Sequence, residues 1–204
     1  MAAFAYKVAS KNGWRIPEYF DENWEANHEA GKLLNDGRRY YEGYVTGHSM
    51  QLGRFALQVR AGLRSTGWAV PDYLMELGTE LFERARVDGW RRTDACPGFS
   101  TGVNDEGDPV PGEDEHQQWV VCEGVCATVA VRRAMLDDGA RVSDVEHFEH
   151  CYRSFVDYIH DYLIAQPGRW IRRLGPHNES VQPAKSSRWD VYHAIQAMLA
   201  IRVP

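Results

Sequence analysis

Three stretches of this sequence place residues where they could move a proton or hold a polar ligand. In "TGHSMQLGRFALQ" (46–58), His48 and Gln51 stand three apart, and on a helix they share a face with Leu52 and Phe55. In "WVVCEGVCATVAV" (119–131), Glu123 lies among Val, Ala and Cys. A carboxylate in such company needs a hydrogen-bonding partner or a bound ligand to offset its desolvation. His116, Trp119 and Glu123 follow one another at spacings of three and four, which on a helix forms one face continuing into Cys126 and Ala130. In "SSRWDVYHAIQAML" (186–199), Trp189 and His193 are four apart, with Gln196, Ala197 and Ala200 behind them.

Each polar group sits near the N-terminal end of its helix, with small or apolar residues following. Such a face lines a pocket at its mouth and packs at its base. His28, His147, His150, His160 and His177 have no such setting and receive no role. A metal site from His116, Cys122 and Cys126 is rejected: His116 and Cys122 are six apart and would point to different faces of one helix, and no Cys-x-x-Cys pair exists.

The elements that must carry these residues alternate with turn-rich stretches. Met50, Leu52, Phe55, Leu57, Val59 and Leu63 predict a helix over 47–64, stopped at Ser65-Thr66-Gly67. A second helix is expected from Pro71, a good first-turn residue, to about Val87. The stretch "ACPGFSTGVNDEGDPVPG" (95–112) reads as a hairpin turning at 104–107. Helices are expected from about Glu115 to Leu136 and from Ser143 to Ile164, the latter opened by a capping box of Ser143 with Glu146. After the loop "QPGRWIRRLGPHNES", a last helix runs from about Ser187 to Ala200. Helix pair, loop or hairpin, helix pair is the rhythm of a helical toroid whose helix ends converge on one pocket.

With 204 residues, 44% hydrophobic and 25% charged, the chain can bury one substantial core, and a single domain is expected. Seven Trp and ten Tyr suit such a core, and amphipathic rings also line polar-ligand pockets. The net charge of −6 leaves no basic stripe, so a nucleic-acid partner is excluded. Cys122 and Cys126, side by side on one helix, cannot reach bridge geometry, and Cys96 and Cys151 complete no disulfide framework. A reduced, cytoplasmic setting is expected; no apolar run of membrane-spanning or signal length is present, and the sequon at Asn178 is taken as chance.

These residues together resemble a known family. "RIPEYFDENW" (15–24), "TGHSMQLGRFALQ", "GFSTGVNDEGDPV" (98–110), "EHQQWVVCEGVCA" (115–127), "GRWIRRL" (168–174) and "KSSRWDVYHAIQAML" (185–199) follow one another as do segments of the N-acylglucosamine 2-epimerase superfamily. The Gly-Arg pair after the Gly-His motif and the Phe-Asp-x-x-Trp segment look more like its mannose and sulfoquinovose isomerase branch. The resemblance implies an all-α (α/α)6 barrel with its site in the central cavity. There a sugar's ring opens and a proton moves between C1 and C2 through a cis-enediol, with a monosaccharide as substrate and no metal or other cofactor. Histidine suits the task because its ordinary pKa of about 6.5 lets one group take and return a carbon-bound proton.

By this resemblance His48 shuttles the proton and His193 assists ring opening, while Trp119, Glu123, Arg38, Gln51, Trp189 and Asp190 bind the sugar. The family usually carries a glutamate three residues after the Gly-His histidine and an aromatic next; here these are Gln51 and Leu52. A neutral amide orients an imidazole but cannot stabilise the imidazolium by charge. The resemblance extends over the C-terminal half of the barrel. The expectation is therefore a fragment, or a chain that self-associates to complete a ring, with unpaired apolar flanks at Phe4, Tyr6 and Val8 and at the last helix. Against an isomerase or 2-epimerase stand a non-catalytic sugar- or protein-binding member and a glycoside-processing enzyme. The last would need paired carboxylates, for which Glu123 and Asp190 are the candidates.

Overall fold

The computed structural model describes residues 1–27, 43–91, 97–181 and 190–202. Among them are six α-helices: α1 (Ala2–Lys11), α2 (Thr46–Ser65), α3 (Tyr73–Gly89), α4 (Gln118–Asp137), α5 (Glu146–Tyr158) and α6 (Val191–Arg202). Helix α2 packs on α3 and α4, and α4 packs on α5 and α6, while α1 lies against α3. The helices thus form two layers, with α2, α4 and α6 in one and α1, α3 and α5 in the other.

The buried stripe of α2 explains its place. Thr46, Met50, Gly53, Leu57 and Arg60 recur at three and four residues; Gly53 and Leu57 meet Gly78 of α3, Ala56 beside them packs with Leu74, Leu77 and Leu81, and Met50 joins the core built on α4. Glycines on both sides let the two helices approach closely: a Cβ on Gly53 would stand 3.0 Å from the Gly78 carbonyl oxygen, and one on Gly78 would run into the Leu57 side chain. Helix α4 is buried nearly all round from Gln118 to Thr128, because neighbours cover it on several sides. Its small side chains make that possible, and Cys122 and Cys126 serve there as compact apolar filling. Trp90, Phe99, Phe155 and Tyr158 form an aromatic cluster at the end of this core, with centroids 4.7–5.8 Å apart.

Short antiparallel strand pairs tie the loops at one end of the bundle. β1 (Tyr44–Val45) pairs with β4 (Gly102–Val103), β2 (Trp90–Arg91) with β3 (Gly98–Phe99), β5 (His116–Gln117) with β8 (Arg173–Leu174), and β6 (Ile164–Gln166) with β7 (Arg169–Trp170). β1 runs directly into α2 and β5 directly into α4, so the first turns of both helices start from a hydrogen-bonded strand. The first turn of α6 is tied to them by Gln118, whose amide donates to the Asp190 carbonyl at 3.3 Å.

Several expectations hold and several need correction. The helix over 47–64 is α2, and Asn104–Gly107 is a turn, with Gly107 at φ +89° and the Asn104 side chain accepting from the backbone of Glu106 and Asp108. The expected hairpin forms across that turn: Val103 bridges Pro109, the Asn104 N–H donates to the Asp108 carbonyl and the Val110 N–H to the Gly102 carbonyl, while the strands leading into it also pair with β1 and β2. The helix expected from Glu115 begins only at Gln118, because His116 and Gln117 are drawn into a strand by Leu174 and Arg173. Pro71 stands two residues before α3 and lends its carbonyl to the Leu74 N–H. The box expected at Ser143 and Glu146 is instead made by Asp144, which accepts the Arg141 N–H at 2.9 Å and opens a 3₁₀ turn ahead of α5. Beyond Tyr158 the helix widens into a π turn over Ile159–Leu163. The "QPGRW" stretch forms the β6–β7 hairpin rather than a plain loop.

Phe4 and Tyr6 have partners: Phe4 packs on Phe20 and Trp24, and Tyr6 packs on Trp14 and Tyr73 and donates to Glu76 at 2.8 Å. Along α6, by contrast, Val191, Tyr192, Ile195, Met198 and Leu199 are each about half exposed. Among the described residues no helix is long and apolar enough to cross a membrane.

Candidate active site

The first turns of α2, α4 and α6 converge. His48 lies in the first turn of α2, its imidazole half-exposed, with Nδ1 at 3.0 and 2.9 Å from the two carboxylate oxygens of Glu18. Trp119 lies in the first turn of α4, where its indole N–H donates to Gln117 Oε1 at 2.8 Å. The Trp119 ring stands 5.0 Å from that of His48 and 5.7 Å from that of His193, centroid to centroid. Gly47 makes this approach possible, since a Cβ there would collide with the indole. His193, in the first turn of α6, has Nδ1 at 2.9 and 2.8 Å from the Asp190 oxygens, and its own backbone N–H donates to the same carboxylate at 3.3 Å. Its Nε2 lies 3.6 Å from Glu123 Oε1, an ion-pair distance longer than a hydrogen bond.

Beneath the histidines is a buried charge pair. Glu123 is 1% exposed and Arg54 2%. Arg54 holds the carboxylate in a fork, Nε to Oε2 at 3.0 Å and Nη2 to Oε1 at 3.2 Å, and Gln51 Nε2 donates to Oε1 at 3.1 Å. The Arg54 guanidinium also lies over the Phe55 ring at 4.5 Å. With its amide oriented to match its neighbours, Gln196 of α6 accepts from Arg54 Nη1 at 2.7 Å and donates to the Tyr192 hydroxyl at 2.9 Å. Two charges held out of water need added hydrogen bonds as well as their mutual attraction, and here the two-pronged fork, Gln51 and Gln196 supply them. The thiols nearby are poor nucleophiles: burial is the main cause that pushes Cys126 up to about 12 and Cys122 further still.

His48, Gln51, Trp119, Glu123, Asp190 and His193 are therefore brought together. Arg38 and Trp189 lie outside the described residues. His116 does not join them. It is buried in β5, where Nδ1 meets Asn178 Oδ1 at 2.9 Å and the Tyr158 hydroxyl at 3.3 Å. Asn178, in the sequon, is itself engaged, donating to the Pro97 carbonyl at 2.8 Å. Two residues of the cluster went unassigned in the sequence. Arg54 carried a signal, because it falls three residues after Gln51 and shares its face of α2 beside apolar neighbours, where a cation demands an anion. Glu18 carried none, since thirty residues and a change of element separate it from His48. Among the described residues no three or more His, Cys, Asp or Glu side chains are grouped to hold a metal ion. The arrangement offers two imidazoles, each with Nδ1 on a carboxylate, around an indole face and above a buried ion pair. That is equipment for proton transfer on a small polar molecule.

A two-layered set of helices whose inner N-termini carry such a cluster defines a helical-toroid protein, and solved structures of that kind match. A crystal structure of a D-mannose isomerase superposes with a TM-score of 0.77 at 18% identity, covering 97% of this chain and 47% of the other. The cellobiose 2-epimerase from Spirochaeta thermophila DSM 6192 superposes with a TM-score of 0.63 at 13% identity, covering 98% and 44%. Residues 1–197 match the N-acylglucosamine 2-epimerase (GlcNAc 2-epimerase) family, and the chain belongs to it. Among curated relatives, the D-mannose isomerase of Thermobifida fusca is 29% identical over 95% of this chain and 44% of its own length. That of Pseudomonas cannabina pv. alisalensis is 27% identical over 98% and 46%. The chain thus spans about half the length of these relatives.

Proposed function

We propose that this chain carries the proton-transfer apparatus of a sugar isomerase, interconverting an aldose of the mannose type and its ketose through a cis-enediol. The observation that supports it is the pair of carboxylate-held imidazoles, His48 and His193, flanking Trp119 at 5.0 and 5.7 Å. His48 takes the proton from C2 of the open aldose and returns it to C1, while the O1 and O2 hydroxyls gain and lose their protons in turn. No atom is added or lost. His193 serves ring opening, Trp119 offers an apolar face to the sugar, and Glu123 fixes a polar end of the site. Arg38, Trp189 and Asp190 complete the sugar-binding set in this reading. The names of the curated relatives favour mannose over other sugars.

The same proposal takes the 204 residues as the C-terminal half of an (α/α)6 ring, closed by further sequence or by a second copy. The half-exposed apolar row on α6 suits such closure. The test is incubation with mannose in heavy water over a range of protein concentrations, read by NMR of the sugar. Deuterium at C1 of fructose supports the isomerase; deuterium at C2 of glucose with no fructose formed makes the chain a 2-epimerase. Ligand-induced thermal stabilisation without exchange, for mannose, glucose and N-acetylglucosamine alike, makes it a binding member and ends the catalytic reading.

A further inference from the structure

The loop 12–27 contributes one side chain to the cluster, and its construction indicates why. Arg15 forks onto Asp88 near the end of α3, with Nε to Oδ2 at 2.7 Å and Nη2 to Oδ1 at 3.0 Å, and this attraction lifts the already high pKa of its guanidinium further. Five residues on, Phe20 packs against Phe4 and Trp24, and its backbone bridges to Ala26. The Asp21 carboxylate accepts the N–H groups of Asn23 and Glu25, closing the turn. Between these two anchors Pro17 is buried, and Glu18 is held with its side chain 16% exposed and both oxygens on His48 Nδ1. A loose surface glutamate has neither the enclosure nor the doubled contact.

We infer that Glu18 is the positioning residue of His48: its carboxylate fixes the proton on Nδ1 and so presents Nε2 as the basic nitrogen. An imidazole in water exchanges freely between two tautomers, and a carboxylate on one nitrogen selects between them and balances the cation formed when the other is protonated. Gln51 does not supply this, since its amide is given to Glu123. The charge that Gln51 lacks beside the Gly-His histidine is delivered instead from a loop thirty residues upstream. This inference rests on the proton-transfer reading for its purpose but not for its geometry.

The test uses the full 204-residue chain with ¹⁵N-labelled histidine, at a pH where the rings are neutral, comparing wild type, Glu18→Gln and Glu18→Leu. Long-range ¹H–¹⁵N spectra are expected to show His48 as the Nδ1–H tautomer in wild type and Glu18→Gln, and as a mixture in Glu18→Leu. Solvent-deuterium exchange into mannose should fall 10–100-fold in kcat for both variants with KM little changed. A wild-type His48 in the Nε2–H form, or a tautomer indifferent to Glu18→Leu in a variant that melts like wild type, overturns the inference. If the tautomer shifts while no protein exchanges deuterium into any sugar, the positioning role stands and the isomerase reading alone fails.

Discussion

Gln51 Nε2 donates to Glu123 Oε1 at 3.1 Å, across the contact between α2 and α4. The sequence suggested that this amide attends His48 on its own helix; the structure turns it toward the buried carboxylate. Gln51→Glu therefore acts first on the Glu123–Arg54 pair. It sets a second carboxylate against one that already fills the Arg54 fork, and two like charges in contact cannot both stay ionised cheaply. A loss of about 1–3 kcal/mol is expected, larger at pH 8 than at pH 5, where the new carboxyl accepts a proton more readily. Urea unfolding at the two pH values checks it, and equal stability to wild type at pH 8 would mean that residue 51 does not bear on Glu123.

Removing the cation is more severe. Arg54→Met leaves Glu123 buried with the Gln51 amide as donor and His193 Nε2 at 3.6 Å, and breaking one side of a buried pair costs about 3–5 kcal/mol. The double variant Arg54→Met, Glu123→Gln removes the uncompensated charge, so it should recover a large part of that loss. A double-mutant cycle by denaturant unfolding measures the coupling. Additive losses would show that the fork contributes no more than its packing.

Much of this site was legible because helical periodicity is a local property. Spacing placed His48, Trp119, Glu123 and His193 near the starts of three helix faces, the family resemblance gathered those faces around one cavity, and helices α2, α3 and α4 fall within a few residues of their predicted spans. Errors arose where a distant partner decided local structure. His116 looks helical beside Trp119, but pairing with Leu174, fifty-eight residues later, makes it a strand and turns its ring toward Asn178. Glu18 and Arg15 likewise gain meaning only from His48 and Asp88, which no pattern within the loop announces. Capping at Asp144 rather than Ser143 is a contest between neighbouring oxygens for one N–H, which periodicity does not address.

Gly47 tests how tightly the indole is seated. Its missing Cβ is the space taken by the Trp119 six-membered ring, and both residues sit in first turns fixed by strands β1 and β5. Gly47→Ala gains helix propensity yet must displace the ring, at a cost of about 1–3 kcal/mol for overpacking. The ring then leaves its place between the two histidines. Shifted resonances of both His48 and His193, with tryptophan fluorescence altered, are the expected signature; unchanged histidine resonances would show that the indole does not link them.

At the other end of α2, Arg60 and Arg64 both reach Asp138, just past the end of α4, and the Arg60 hydrogen bonds hold its carboxyl below the ordinary carboxylate range. A carboxyl whose folded pKa is depressed stabilises the fold at every pH above its unfolded value, about 3.9, and that contribution is lost as pH falls through the folded value. Asp138 is 34% exposed on its side chain, so the contribution is screened, on the order of 1 kcal/mol or less. Asp138→Asn keeps an acceptor for Arg60 but removes the charge. Wild type should exceed this variant by a constant margin from pH 5 to pH 7, and the margin should shrink as the pH is lowered below about 4. Urea unfolding of both proteins between pH 2.5 and pH 7 follows the difference directly. A margin that stays flat across the whole range would show that the Arg60 and Arg64 contacts do not discriminate between the charged and neutral carboxyl.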